Sequence, residues 1–217
     1  MSKIVWDADG TRFYEMGTDR GVLYKKDELG KYINGVAWNG LTGITQSPSG
    51  ADETKLFADN IKYGSLLAAE EFGGTIEAYT YPDEWASCDG SLELMPGVSV
   101  GQQGRDTFGL SYRTLLGNDI SPDIGYKIHL IYGGKAAPSE KAYSTVNDSP
   151  EAITFSWELT TTPVAVKDAK PTAIMSIDST KISKDALIAI ETILYGDDSV
   201  SARLPLPDEV VAIIEVL

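Results

Sequence analysis

The chain has 217 residues, 42% of them hydrophobic, a single cysteine and a formal net charge of −14, with a pI near 4.4. Its length and apolar content suit one domain, residues 1–217, around one sizeable core. The acidity excludes a surface that grips nucleic acid by displacing counterions or docks on anionic lipid, and Cys88 alone excludes an intrachain disulfide scaffold.

At the start, MSKIVWD has no apolar h-region, so no secretory leader is expected. Asp7-Ala8-Asp9-Gly10 invites a calcium reading, but an EF-hand loop opened by Asp7 needs glycine at 12 and glutamate at 18. Arg12 and Thr18 stand there, so a simple turn is expected. From Trp38 to Tyr81 the sequence reads as extended structure without chemistry. A Ser/Pro/Gly-rich loop at Ser47 to Asp52 leads into a strand, an Asp59-Asn60 turn and a second strand, and a third strand follows a Gly73-Gly74 turn. That third strand, Thr75 to Tyr81, alternates Ile76, Ala78 and Thr80 against Glu77, Tyr79 and Tyr81, with no decisive apolar face.

Asp89-Gly90 predicts a further turn, and Gly101 to Gly104 a mobile loop whose GxxG spacing lacks the basic setting of an RNA clamp. Phe108 to Leu116 is a weaker strand candidate, closed by a Gly117-Asn118-Asp119 turn. Tyr126, Ile128, Leu130 and Tyr132 share a strand face opposite Lys127 and His129, before a Gly133-Gly134 turn. Ala136 to Pro150 is linker-like and short enough for a surface loop. The cleanest half-buried strand sets Phe155, Trp157 and Leu159 against Thr154, Ser156, Glu158 and Thr160, and Thr172 to Ile177 is a weaker strand.

One segment breaks the period of two. Leu187, Ile190 and Leu194 predict a helix over Lys184 to Tyr195, with Ser183 as N-cap, Asp185 in the first turn and Gly196 as a left-handed C′ residue. A second, briefer helix is expected after Pro207, with Asp208 and Glu209 in its first turn. It holds the longest apolar stretch, Val210 to Ile214, far short of a membrane span. The expected class is therefore mainly β, a sandwich or barrel carrying one packed helix and a short C-terminal helix.

Chemistry-bearing residues are sparse. Cys88 and His129 are the raw material of a thiolate–imidazole pair, but no nucleophile motif frames them, and a lone strand histidine is ordinarily structural. The 32 acidic residues offer carboxylates for glycoside hydrolysis, though spacing does not show two of them across a cleft. Tyr79, Tyr81 and Trp85, if exposed, would make a sugar-stacking platform.

Five stretches carry a family resemblance in content and order. They are WNGLTGITQSPSGADETKLFADNIKY, TIEAYTYPDEW, FGLSYRTLLGND, GYKIHLIYGGKAAPSEKAYSTVNDSPEAITFSWELTTTPV and ILYGDDSVSARLPLPDEV. Together they resemble the major tail proteins, the tail tube subunits, of long non-contractile-tailed bacteriophages of Gram-positive bacteria. The resemblance implies a β-sandwich or barrel subunit that forms hexameric rings stacked into a tube, with strands of every copy lining the lumen. It implies a virion protein made in the host cytoplasm, with no cofactor, metal or catalytic residue. Its partners would be further copies, the tape-measure protein, and the tail terminator and tip proteins, and DNA would pass through without specific binding. An acidic lumen would repel a duplex carrying one charge per roughly 1.7 Å of axis, and Glu70, Glu71 and Glu77 are its candidates. The polar arm from Thr42 to Glu53, with Gln46, Ser47, Pro48, Ser49, Gly50 and Asp52, is the candidate inter-ring stacking loop. The alternatives are a carbohydrate-binding β-sandwich module and, behind it, a hydrolase with a carboxylate pair.

Overall fold

The main sheet is antiparallel throughout, and the sequence explains its two-sided burial. The computed structural model describes residues 4–146, 148–149 and 151–216. In chain order come β1 (Tyr14–Lys26), β2 (Tyr32–Ala37), β3 (Leu41–Gln46), β4 (Ser49–Gly50), β5 (Glu53–Ala58), β6 (Ile61–Leu67), β7 (Glu70–Glu71) and β8 (Gly73–Ala78). A short α1 (Trp85–Asp89) precedes β9 (Leu92–Met95), β10 (Val98–Val100), β11 (Phe108–Gly117), β12 (Gly125–Ala136), β13 (Phe155–Thr161) and β14 (Ile174–Asp178). Two helices, α2 (Lys184–Tyr195) and α3 (Pro207–Val216), finish the chain.

The sheet runs β2-β1-β11-β12-β13-β8-β3, with β14 also paired to β12. It curls until β3 returns against β1, where a Cβ on Gly21 would lie 3.1 Å from Leu41, and the Trp38 N–H donates to the Gly21 carbonyl at 2.8 Å. Inside the curl, Trp38, Trp85, Trp157 and Phe108 pack edge to face around Leu23, Ile76, Leu110, Ile131 and Leu159. On the other face of β1 and β12, Val22, Tyr24, Ile128, Leu130 and Tyr132 meet Ile190 and Leu194 of α2 and Val210 of α3. Because Leu23 points inward between Val22 and Tyr24, and Ile131 between Leu130 and Tyr132, these strands read as near-continuous apolar runs.

The mainly-β class, the Phe155/Trp157/Leu159 face, the Asp59-Asn60 turn and both helices agree with the sequence reading. Asp59 and Asn60 both have positive φ, at 50° and 63°, as a two-residue hairpin turn of the primed type requires. The Ser183 hydroxyl accepts from the Ala186 N–H at 3.1 Å, the expected cap. Gly196 has φ 75° but ψ 169°, so it ends α2 in a positive-φ conformation that glycine favours, outside the left-handed helical well.

Two predicted turns are not turns. Gly73 and Gly74 lie within β8, where a Cβ on Gly74 would sit 2.4 Å from the Thr45 carbonyl oxygen of β3; glycine here permits close strand approach. Gly133 and Gly134 lie within β12, where Gly133 at φ 61° marks the change of neighbour, from β14 along Lys127–Ile131 to β13 from Gly134. Asp89-Gly90 is the end of α1, closed by Gly90 in the left-handed region. The Thr75 to Tyr81 strand stops at Ala78 and does have an apolar face, since Ile76 and Ala78 are fully buried. Strands β1, β2, β9 and β10 had no counterpart in the sequence reading. In Ala136 to Pro150, residues 147 and 150 lie outside the described residues, and past Ala136 the described remainder has no helix or strand.

Candidate functional site

The residues singled out for enzymatic or sugar-binding chemistry are not brought together. Cys88 is buried in the core beside the tryptophans, and burial pushes its thiol up to about 11, away from the reactive thiolate. His129 is 7% exposed, stacked on Tyr112 at 4.7 Å, with its two ring nitrogens 3.0 Å from the hydroxyls of Thr114 and Ser176. Trp85 is fully buried, not exposed, and Tyr81 turns its edge onto Phe155 and Trp157, so the sugar platform of Tyr79, Tyr81 and Trp85 does not exist. Asp19, Asp119 and Glu209 are shifted down by cations or N–H donors, and Asp178, against its burial, by the Thr180 hydroxyl and N–H and by Lys181, all opposite to the direction a general acid needs. Asp7 to Thr11 forms the expected turn, with the Thr11 N–H donating to the Ala8 carbonyl at 3.1 Å. Among the described residues no His, Cys, Asp and Glu side chains cluster as a metal site would require.

The segment from Leu41 to Ala78 is different. It is one long hairpin. Leu41 pairs with Ala78 and Gln46 with Gly74, both at the body. Ser49 pairs with Glu71 and Gly50 with Glu70 at a neck, and Glu53 pairs with Leu67 through to Ala58 with Ile61 at the tip. The arm predicted as a loop from Thr42 to Glu53 is therefore strand and neck, because its Ser-Pro-Ser-Gly stretch pairs with the opposite limb. Ala51 and Ala68 continue that pairing, donating to the Ala69 and Asp52 carbonyls at 3.3 and 3.0 Å.

At the tip the register divides the side chains. Thr54, Leu56, Ala58, Ile61 and Leu66 share one face, while Glu53, Lys55, Phe57, Lys62, Ser65 and Leu67 share the other. A Lys62–Glu53 ion pair of 2.6 Å spans the second face. Among the described residues neither side is covered: Phe57 is 69% exposed, Leu67 73% and Tyr63 77%. An isolated two-stranded ribbon is marginal in water, and apolar side chains clustered in solvent mark an association surface. Three acids and two lysines from Asp52 to Leu67 leave this tip near neutral in a chain at −14. The β9–β10 hairpin, turned by Pro96-Gly97, exposes Leu92, Leu94, Met95 and Val98 in a smaller version of the same pattern.

The predicted acids fall in two places. Glu70 and Glu71 are exposed at the neck, directly across from Gly50 and Ser49 of the predicted stacking arm. Glu77 stands up to about 20 Å further along the strand by residue rise, on the solvent face of β8 beside Ser156, with Thr75 and Glu158 the next pair along. That face carries Thr45, Thr75, Glu77, Ser156, Glu158 and Thr160, hydroxyls and acids only, with Lys135 paired to Thr160 at its margin. Gln46 is tied inward, donating to the Tyr112 hydroxyl at 2.6 Å. The sequence reading missed the tip residues Leu56, Phe57, Ile61, Tyr63, Leu66 and Leu67. Their apolar character was visible, but nothing in it distinguishes a buried face from a bare one.

A second unpaired margin runs along β1 from Tyr14 to Arg20, where β11 covers one side only and β2 begins to pair at Val22. Register shifts between Met16 and Val22, with Gly17 and Arg20 at positive φ, kink this edge in the way that blunts strand addition.

No family model matches the chain, and no curated protein matches its sequence. Among solved structures, it is similar to a chain in the cryo-EM structure of an extracellular contractile injection system, the PVC sheath-tube complex in its extended state. The identity is 11% and the TM-score 0.33, over 80% of this chain and 94% of that one.

Proposed function

We propose that this chain is a structural subunit of a phage tail tube, the major tail tube protein, which associates with copies of itself into rings and stacks them around a DNA path. The observation that carries this reading is the Leu41–Ala78 hairpin. It leaves the body through a paired neck and presents a tip whose apolar side chains stand exposed on both faces, uncovered among the described residues. A heterologous contact between such a tip and another copy propagates along an axis, while closure of a ring limits lateral growth. The resemblance of the five sequence stretches to tail tube subunits supports the same reading. It supplies the expected partners: further copies, the tape-measure protein, and the terminator and tip proteins.

Within this reading the acid-and-hydroxyl face around Glu77 and Glu158 is the lumen wall, and Glu70 and Glu71 serve the neck instead. A wall without exposed lysine or arginine at its centre repels the phosphate backbone and lets it slide. The inter-ring role moves from the Thr42–Glu53 arm to the β5–β6 tip. The fold carries no catalytic role in this account, and its place is the virion tail.

Negative-stain electron microscopy of the concentrated protein should show rings or tubes of uniform width. A variant with residues 53–67 replaced by a short turn should remain folded by circular dichroism and form no tubes. Particles that stay monomeric at every concentration, or normal tubes from the shortened variant, would overturn the proposal.

A further inference from the structure

A cavity of about 440 Å³ opens where the start of β1, the ends of β11 and β14 and the start of β12 meet. Phe13, Leu116 and Ile124 wall it, and the Lys127–Glu15 and Lys181–Asp178 ion pairs rim it. Pockets of a few hundred Å³ with apolar walls and a few charged groups are ordinary ligand sites, and this one has room for an indole and a neighbouring aliphatic side chain.

The same molecule carries a matching segment in water. Ile4, Val5 and Trp6 are exposed, Trp6 to 76%. The chain after them is fixed in place. The Gly10 and Arg12 N–H groups donate to the Asp119 carboxylate at 3.1 and 3.3 Å, Asn118 Nδ2 donates to the Gly10 carbonyl at 3.2 Å, and Arg12 donates to the Asp7 carbonyl at 2.9 Å. Residues 7–12 are thus anchored to the β11–β12 connection while the three apolar side chains before them find no cover among the described residues.

We infer that the Ile4–Trp6 segment of one copy seats in this cavity on a second copy, with Trp6 as the anchoring side chain. The inference rests on the self-assembly reading and names a partner surface for it. Two uncovered, dissimilar apolar surfaces on one chain satisfy each other between copies in a head-to-tail contact. Charge favours the pairing. The rim balances two lysines against two acids in a chain at −14, so like-charged copies oppose each other least there. The outward ammonium of Lys181 also suits Asp7 and Asp9, which follow the seated tryptophan.

A buried tryptophan is the typical energetic centre of a contact. Trp6→Ala should weaken self-association by about tenfold or more, read by sedimentation velocity, with an unchanged unfolding midpoint. Thr180→Trp, which fills the cavity from its exposed rim, should do the same. The deciding measurement is disulfide trapping in full-length protein, where the native Cys88 is buried. A mixture of the Val5→Cys and Thr180→Cys single variants should yield a linked pair of chains. A link that forms only within one chain of the double variant, or no link in either, would overturn the inference. If tubes form but no link is trapped, self-assembly stands and this contact falls. If nothing associates, both fall.

Discussion

The curled body and the β5–β6 tip use the same strand vocabulary and reach opposite ends of the burial scale. In β13, Phe155, Trp157 and Leu159 alternate with polar residues, and Trp157 is fully enclosed inside the curled sheet. In β5 and β6 the register also sorts the side chains onto two faces, but apolar residues stand on both, Leu56, Ile61 and Leu66 on one and Phe57 and Leu67 on the other, and all five face water. The period of two tells which side chains share a face. It does not tell whether anything lies against that face, which is decided by chain elsewhere or by another molecule. The body is stabilised by what the chain packs on itself, and the tip is the surface that the proposed self-assembly would cover.

Truncation tests this contrast most strongly. Trp157→Ala removes a ring that touches Trp38, Trp85 and Phe155, and should cost about 3 to 5 kcal/mol in urea unfolding. Tyr63→Ala or Leu66→Ala at the tip should stay within about 0.5 kcal/mol of the parent while tube formation is lost. A tip variant as destabilising as the core one would mean that the ribbon is packed within the subunit, and the distinction between the regions would disappear.

Glycine provides the next test, because Gly133 and Gly64 lie one in each region. At Gly133, φ is 61° and a Cβ would stand 2.1 Å from the Thr162 carbonyl oxygen, so Gly133→Ala should cost about 2 to 3 kcal/mol. At Gly64 nothing lies within 4 Å of the added carbon and φ is not positive. Gly64→Ala should therefore be neutral or stabilise by up to about 1 kcal/mol through the unfolded chain. Thermal unfolding of both variants settles the comparison, and a costly Gly64→Ala would place an unsuspected neighbour against the ribbon.

Much of this fold was legible because local chemistry wrote it: the Ser183 cap, the Asp59-Asn60 turn, and the alternation around Trp157. What escaped depended on distant chain. Gly74 and Gly133 look like turn residues until Thr45 and Thr162 approach them, and no local pattern announces those carbonyls. Strand β1 hides for a related reason. Its buried half packs on both faces, so Val22, Leu23 and Tyr24 form a run without alternation, while its Tyr14–Arg20 half is bulged. Of the candidate surface, the hairpin turned at Asp59-Asn60 was readable and the pairing at its neck was not. Glu71 opposite Ser49 requires two residues distant in sequence to find each other through a correct register.

The smallest effect separates the regions by pH. His129 is the one histidine of the chain, held in the body between β11 and β14. Burial lowers its pKa below the ordinary 6.5, Glu15 of β1 pulling the other way and Lys127 of the same strand adding to the drop. The unfolded chain thus takes up a proton at a higher pH than the folded one does, and stability is intact above 6.5 and falls as pH drops from there through the folded value. The tip has no histidine. Its Glu53 is lowered by the Lys62 ammonium and responds only in the acid range of carboxylates, where salt screens an exposed pair. Urea unfolding at about pH 7.5 and about pH 5.5 should therefore show a modest loss at the lower pH that His129→Gln abolishes and Lys62→Ala leaves in place. A loss that survives His129→Gln would assign the pH response to some other part of the molecule.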